Sequence, residues 1–219
     1  MDKLIRVLVK YYPVFLKGLG GTLWLAAVTV LFGTLLGLLV AMLRMSRLKL
    51  FNAVSGVYIE ILRGTPILLQ LYFFWLVLPK MMPFTMSDTA CIVVALIINA
   101  SAYISEIIRA GIAAVDPGQW EAARSLGLSE SNVLRRIILP QAVKNILPAL
   151  CNEFISEVKG TSLASVFFIR ELTTAYKTVQ STTFLAVQPL LIAGLIYLIV
   201  TTVLSWAVRR LERRLKASD

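Results

Sequence analysis

Long apolar stretches alternate along the chain with short polar and basic ones. No charged residue occurs over residues 18–43, which exceeds the roughly 20 residues that span a bilayer as a helix. The same is true of residues 178–208. Shorter uncharged runs cover residues 64–79 and 89–105, and residues 145–168 are apolar but broken by Glu153, Glu157 and Lys159. The pattern predicts five membrane helices near residues 18–43, 58–79, 88–110, 142–168 and 186–208, and so an all-α polytopic membrane protein. No repeat, low-complexity tract or linker divides it, so residues 1–219 are expected to form one membrane domain.

The polar connection between the third and fourth spans carries its own signals. Asp116-Pro117 is a helix start, a capping side chain followed by proline at the first helical position. Gly127 is a helix stop, because the residue just past a helix end often takes a positive φ. The helix predicted over residues 116–127 is ~15 Å long at 1.5 Å per residue. Ser129 is expected to cap a second helix running through Arg135 and Arg136 toward Leu139-Pro140. Trp120 and Ala123 share one face of the first helix, and Glu121 and Arg124 another. A short helix pinned at both ends can transmit force, but a plain hairpin joining two spans fits the same pattern.

Charge adds a topology. The basic residues sit at the ends of apolar runs, as positive-inside topology requires. Arg44, Arg47 and Lys49 form one group, Arg109, Arg124, Arg135, Arg136 and Lys144 a second, and Arg209, Arg210, Arg213, Arg214 and Lys216 a third. With five spans these three groups share a side. They outnumber Lys3, Arg6, Lys10, Lys17, Lys80, Lys159, Arg170 and Lys177 on the other, with Arg63 at the edge of span two. The N-terminus is therefore expected outside and the C-terminus in the cytoplasm, with Trp206 at the interface. The net charge of +10 reflects this arrangement, so no nucleic-acid partner is expected. Hydrophobic residues make up 58% and charged residues 16%, against about 45–50% and about 25% in soluble proteins.

Several function classes drop out. The chain has no histidine, and Cys91 and Cys151 lie in apolar runs as small buried residues, so neither a metal site nor a disulfide is expected. No cleavable signal peptide is evident among the first 17 residues. No nucleophile–base pair or G-x-x-x-x-G-K-[ST] occurs, so this chain is expected neither to be an enzyme nor to hydrolyse ATP. A stand-alone channel or secondary transporter would be expected to show more spans, often as inverted repeats.

Gly64 and Pro66 are expected to bend span two, one by loosening the helix and the other by removing a hydrogen bond. Glu60 and Arg63, three apart, are expected to neutralise each other beside this kink, and Glu106 and Arg109 have the same spacing.

The stretch Glu121-Ala122-Ala123, three residues, Gly127, nine residues, then Ile137-x-Leu139-Pro140 resembles the cytoplasmic loop with which ABC importer permeases grip their ATPase. Arg63-Gly64-Thr65-Pro66 ahead of Leu69-Gln70 is similar to a signature of the polar amino-acid branch, as are Ser101-Ala102-Tyr103 and the segment from Glu106 to Ile112. Lys159-Gly160-Thr161-Ser162-Leu163 resembles K-[DN]-T-S-L, with Gly160 in place of Asp or Asn. The resemblance covers roughly residues 15–210 and implies the type I importer permease fold in a bacterial inner membrane. It implies Glu121, Ala122, Ala123 and Gly127 as the ATPase-coupling residues, and adds Thr161 and Ser162 to the substrate-pathway candidates. Partners implied are an ABC ATPase carrying ATP and Mg²⁺, a second permease (a copy or a homologue), and an extracytoplasmic solute-binding protein; no cofactor is implied in this chain.

Charges inside a span cost at least ~2.5–3.5 kcal/mol each when unpaired, so they usually face a bundle interior or a watery cavity. Glu153 and Glu157 share a helical face, Asn152 is adjacent, and Asn99 and Tyr103 share a face of span three. These residues are candidates for a polar cavity receiving the ammonium or cationic side chain of an amino acid. Alternatively Glu157 and Lys159 form structural ion pairs or permease–permease contacts. The expected function is the permease subunit of an ATP-driven importer for a polar amino acid, cationic ones being candidates; another small polar solute is the alternative.

Overall fold

The computed structural model describes residues 2–216, leaving Met1 and residues 217–219 of the expected 1–219 domain, and the Asp2 and Lys216 side chains, outside the described residues. Among these residues the chain is helical without strands. The helices are α1 (Asp2–Arg44), α2 (Lys49–Gly64), α3 (Ile67–Met81), α4 (Asp88–Ala113), α5 (Pro117–Ser125), α6 (Glu130–Val133), α7 (Leu139–Gly160), α8 (Leu172–Thr183) and α9 (Val187–Lys216).

The first helix is longer than its uncharged run. Its 43 residues measure ~65 Å, about twice the ~30 Å hydrocarbon core. The N-terminal turns are held by packing: Val7 and Phe15 are buried with Leu172, Ala175 and Val179 of α8 and with Ile192 and Ala193 of α9. Further along, Gly33 and Gly37 let α1 approach α4 closely. A Cβ added at Gly33 would lie 3.2 Å from the Ala100 Cβ, and one at Gly37 3.0 Å from the Ser101 carbonyl oxygen. Small residues four apart are a common device for packing membrane helices. Gly37→Leu is expected to lower the thermal midpoint of the detergent-purified protein by several degrees through overpacking. Gly194→Leu, where nothing lies within 4 Å of an added Cβ, is the matched control, and equal midpoints for the two would refute this account.

Span two is broken. The α2 and α3 axes meet at 108°, and the break falls at Gly64-Thr65-Pro66. Proline disfavours helical geometry in the residue before it, and Thr65 is extended (φ −115°, ψ 146°). Side chains take up backbone groups at the corner. Gln70 Nε2 donates to the Leu62 carbonyl at 2.8 Å and to the Thr65 carbonyl at 3.2 Å. Asn99 Nδ2 of α4 donates to Gln70 Oε1 at 2.9 Å and to the Leu62 carbonyl at 3.4 Å. The corner is therefore a braced joint.

The fourth predicted span is also redrawn, whereas the fifth, expected at 186–208, starts within one residue of α9 and is extended to Lys216. Helix begins at Glu130 and runs to Gly160, passing through a π-helical segment at Leu134–Ile138. The Leu139 N–H bonds the Leu134 carbonyl, five residues back. Pro140 explains the widening: its ring would crowd the carbonyl four residues earlier and it has no N–H to give. The expected span 142–168 ends at Gly160, and residues Thr161–Phe167 form a 3-10 helix. The uncharged run over residues 178–208 hides a boundary. It contains the end of α8, a separate polar helix the hydrophobic pattern did not predict, and then the left-handed Phe184 (φ 56°). Among the described residues three helices, α1, α4 and α9, are long and apolar enough to cross a bilayer alone, and α2 with α3 reaches that length and hydropathy only when the two are taken together as a bent pair. α7 spans ~33 Å over 22 residues but carries Lys144, Glu153, Glu157 and Lys159. Both cysteines are free, and Cys91 is buried.

Candidate functional site: a projecting hairpin and an acidic cavity

The hairpin is α5 and α6. Asp116 caps α5 by accepting from the Gly118 N–H at 2.8 Å, with Pro117 at the first turn. At the other end the Gly127 N–H bonds the Arg124 carbonyl at 2.9 Å, and the Leu128 N–H bonds the Ala123 carbonyl at 3.2 Å. With Gly127 at φ +75°, these two bonds make the Schellman arrangement that closes a helix through a left-handed residue. Ser129 stands at the start of α6 with extended backbone, but its side chain makes no capping bond.

One face of α5 is anchored. Ala123 is buried with Val115, Val133, Ile138 and Ala142, and Trp120 packs against this cluster. Arg124 grips α6 through a bidentate pair with Glu130 (Nε–Oε1 2.8 Å, Nη2–Oε2 3.2 Å) and lies 5.7 Å from the Trp120 ring. The other face is free: Glu121 and Ala122 are exposed, and Leu126 at the tip is 80% exposed. The predicted coupling residues are thus divided, with Ala123 holding the hairpin to the bundle and Glu121 and Ala122 facing outward.

The cavity lies in the bundle. About 370 Å³ in volume, it is lined by Thr65, Pro66 and Ile67 at the α2–α3 corner, Asn99 and Tyr103 of α4, and Glu153, Ser156 and Glu157 of α7. Glu157 is 7% exposed, and its Oε2 has no hydrogen-bond partner among the described residues. Four of the seven pathway candidates (Asn99, Tyr103, Glu153 and Glu157) meet here. Asn152 is exposed elsewhere on α7. Thr161, buried, donates its hydroxyl to the Val158 carbonyl at 3.0 Å, and neither it nor Ser162 lines the cavity. Sequence reasoning missed Thr65 and Ser156. A polar residue beside a proline, or one turn from a glutamate, was the available signal.

Charges near the corner pair differently from expectation. Arg63 does not pair with Glu60; it lies 3.8 Å from Glu106 of α4 and 5.4 Å from the Tyr103 ring. Arg63 stands in the last turn of α2, so its side chain reaches past the helix end to α4, where a carboxylate and an aromatic face both attract a guanidinium. Glu106 and Arg109 do pair, at 3.0 and 2.7 Å. Among the described residues no three His, Cys, Asp or Glu side chains converge as metal ligands.

A helical membrane bundle with an open polar cleft on its side and a stiff projecting hairpin has the parts of a transport subunit driven through another protein. Comparison with known proteins bears this out. The model of the family described as "Binding-protein-dependent transport system inner membrane component" matches residues 33–217, and the chain belongs to that family. The arginine transport system permease protein ArtQ of Bacillus subtilis (strain 168) is 37% identical over 94% of this chain and 94% of its own length. The glutamine transport system permease protein GlnP of Escherichia coli (strain K12) is 37% identical over 93% and 94%. A chain from the crystal structure of an amino acid ABC transporter with histidines superposes with a TM-score of 0.90 at 44% identity, covering 94% of this chain and 96% of that one. The MetNI methionine ABC transporter in an inward-facing form shares the fold at TM-score 0.79 and 19% identity. The fold is that of type I ABC importer permeases, and the protein is a permease subunit of an ATP-driven importer of the bacterial inner membrane. Such subunits work with an ATPase and a binding protein.

Proposed function

We propose that this subunit passes an amino acid with a cationic group into the cytoplasm through the Glu153–Glu157 cavity. The observation that carries the reading is the Glu157 carboxylate: buried, four residues from Glu153, and with one oxygen unpartnered in a space of about 370 Å³. Glu157 is buried and Glu153 half-buried at the wall of this cleft; two carboxyl groups so close repel each other when both are charged, and a bound ammonium or guanidinium offsets that cost. The relatives named for arginine and glutamine transport and the amino acid transporter of like fold support an amino-acid substrate. Thr65, Asn99 and Tyr103 supply polar groups on the opposite wall.

In the proposed arrangement the chain crosses the membrane five times, counting the bent pair α2–α3 once and α7 as the fourth span, with its N-terminus outside. It pairs with a second permease and receives substrate from the extracytoplasmic binding protein. The exposed Glu121–Ala122 face and the Leu126 tip dock on the ATPase, where ATP and Mg²⁺ bind and hydrolysis occurs. Because Ala123 and Trp120 pack on residues continuous with α7, movement of the docked hairpin reaches the helix that bears Glu153 and Glu157.

Glu153→Gln in the assembled transporter, reconstituted in liposomes, is expected to weaken arginine or lysine uptake at least ~10-fold more than glutamine uptake, about 1.4 kcal/mol of selectivity. Uptake that keeps both its affinity and its selectivity would remove the acidic cavity from the substrate pathway.

A further inference from the structure

A second cavity, about 800 Å³ in volume, has no part in the pathway proposed above. Its lining includes Lys17, Gly20, Gly21 and Trp24 of α1, Thr89 at the start of α4, and Arg170. Lys17 is the last charged residue before the uncharged residues 18–43, so the recess opens at the depth where α1 enters the bilayer. Trp24, 53% exposed, lies about two turns deeper, the position tryptophan favours at a membrane interface.

Two glycines shape the recess. A Cβ at Gly21 would collide with the Arg170 carbonyl, so the segment before α8 lies directly on α1 there. At Gly20 an added Cβ meets nothing within 4 Å, which leaves the recess open. Lys17 and Gly21 are four apart on one helical face, so the backbone bearing Arg170 rests about one turn, ~6 Å, from Lys17 along α1. No ion pair links either cation to a carboxylate among the described residues. Nearby carboxylates are committed elsewhere. Asp88 accepts from Trp75 Nε1 at 2.8 Å. Glu171 is fully buried and accepts from Thr173, Thr174 and Tyr197. Beyond the recess an exposed apolar row continues down α1 through Trp24, Ala27, Leu31, Leu35 and Leu38.

We infer that this recess binds an anionic phospholipid, with the headgroup phosphate held between Lys17 and Arg170 and an acyl chain along the Trp24–Leu38 row. A carboxylate on another protein would satisfy the two cations but not the apolar row beneath them; a phospholipid satisfies both. The inference does not depend on which solute the subunit carries.

The test uses the whole transporter purified in mild detergent, with phosphatidylglycerol and phosphatidylcholine titrated separately and retained lipid read by native mass spectrometry. Phosphatidylglycerol is expected to bind at least ~10-fold tighter than phosphatidylcholine. K17Q/R170Q is expected to abolish the difference, and K17R/R170K to keep it. Unchanged phosphatidylglycerol retention in K17Q/R170Q overturns the site. Displacement of the lipid by inorganic phosphate alone overturns the lipid assignment in favour of a free-anion site. A fall in binding-protein affinity with unchanged lipid retention assigns the cations to an acidic protein surface instead. If K17Q/R170Q fails to assemble, the wild-type protein decides: ligand binding to the native state raises its thermal midpoint, and equal midpoints in the two lipids refute the proposal.

Discussion

Gly127→Val is expected to cut uptake at least ~10-fold while leaving the membrane bundle folded. Gly127 sits at φ +75° and has nothing within 4 Å of an added Cβ. The cost is therefore conformational and owes nothing to a clash. A left-handed backbone costs an ordinary L-residue roughly 1–2 kcal/mol, and a β-branched side chain is a worse case. Relief requires another turn, and with it loss of the bonds from Gly127 to Arg124 and from Leu128 to Ala123. The Arg124–Glu130 clasp and the Leu126 tip, just before the turn, would shift with them. Uptake and substrate-stimulated ATPase activity in proteoliposomes measure the effect, with circular dichroism reporting the bundle. Gly127→Asn is expected to do far less, since asparagine tolerates this backbone region. Near-normal uptake by the valine variant would mean that the hairpin's shape does not matter to coupling.

Glu171→Ala is expected to be the most destabilising single change in the chain. The carboxylate is fully buried and closes the start of α8, accepting from the backbone N–H of Thr173 at 2.6 Å and from that of Thr174. It also accepts from the Tyr197 hydroxyl of α9 at 3.0 Å. The first helix meets the same point: the Thr22 hydroxyl accepts from the Leu172 N–H at 3.0 Å, and a Cβ at Gly18 would lie 2.7 Å from that of Ala175. One side chain thus joins α8 to α9 where α1 closes over both. Removing it strands the Thr173 and Thr174 N–H groups at about 1–3 kcal/mol each, while the Tyr197 hydroxyl keeps the Thr173 hydroxyl at 3.2 Å; a total of ~2–6 kcal/mol corresponds to a fall of about 10 °C in thermal midpoint at this size. Glu171→Gln keeps one acceptor oxygen and is expected to lose about half as much. A midpoint within about 2 °C of wild type for the alanine variant would contradict the assignment.

What the sequence made legible follows the range of each signal. The ends of α5 depend on residues two to five positions apart, Asp116 with Gly118 and Gly127 with Arg124, so they were readable from the chain alone. The bend at Gly64–Pro66 was readable for the same reason, but the bracing by Gln70 and Asn99 was not, because Asn99 arrives from a different helix. Arg63 shows the limit most directly. Spacing suggested Glu60, while folding brought Glu106 and Tyr103 within reach. Hydropathy failed where composition did not change at a boundary. The polar helix α8 has few charges and went unpredicted, although the start of α9 was placed within one residue, and residues 161–168 looked like more of span four. Glu171 gave no warning, because glutamate is not a preferred helix cap and its partners lie on both sides of the chain turn. The acidic cavity was half legible: the spacing of Glu153 and Glu157 and the shared face of Asn99 and Tyr103 pointed to it, while Thr65 and Ser156 emerged only from the packing.

The π-helical segment at Leu134–Ile138 is, geometrically, a one-residue insertion that the helix has absorbed. Each residue of an α-helix turns the chain by about 100°. The hairpin therefore hangs from α7 with its azimuth offset by one residue from what an unbroken helix would give. Deleting a single residue in this segment would not shorten the connection appreciably, but it would swing the Glu121 face a quarter-turn or more around the axis of α7. At this joint a change in chain length, more than any change of side chain, sets the direction in which the hairpin points, and relatives that lose or gain a residue here would have to present the same face from a rotated stem.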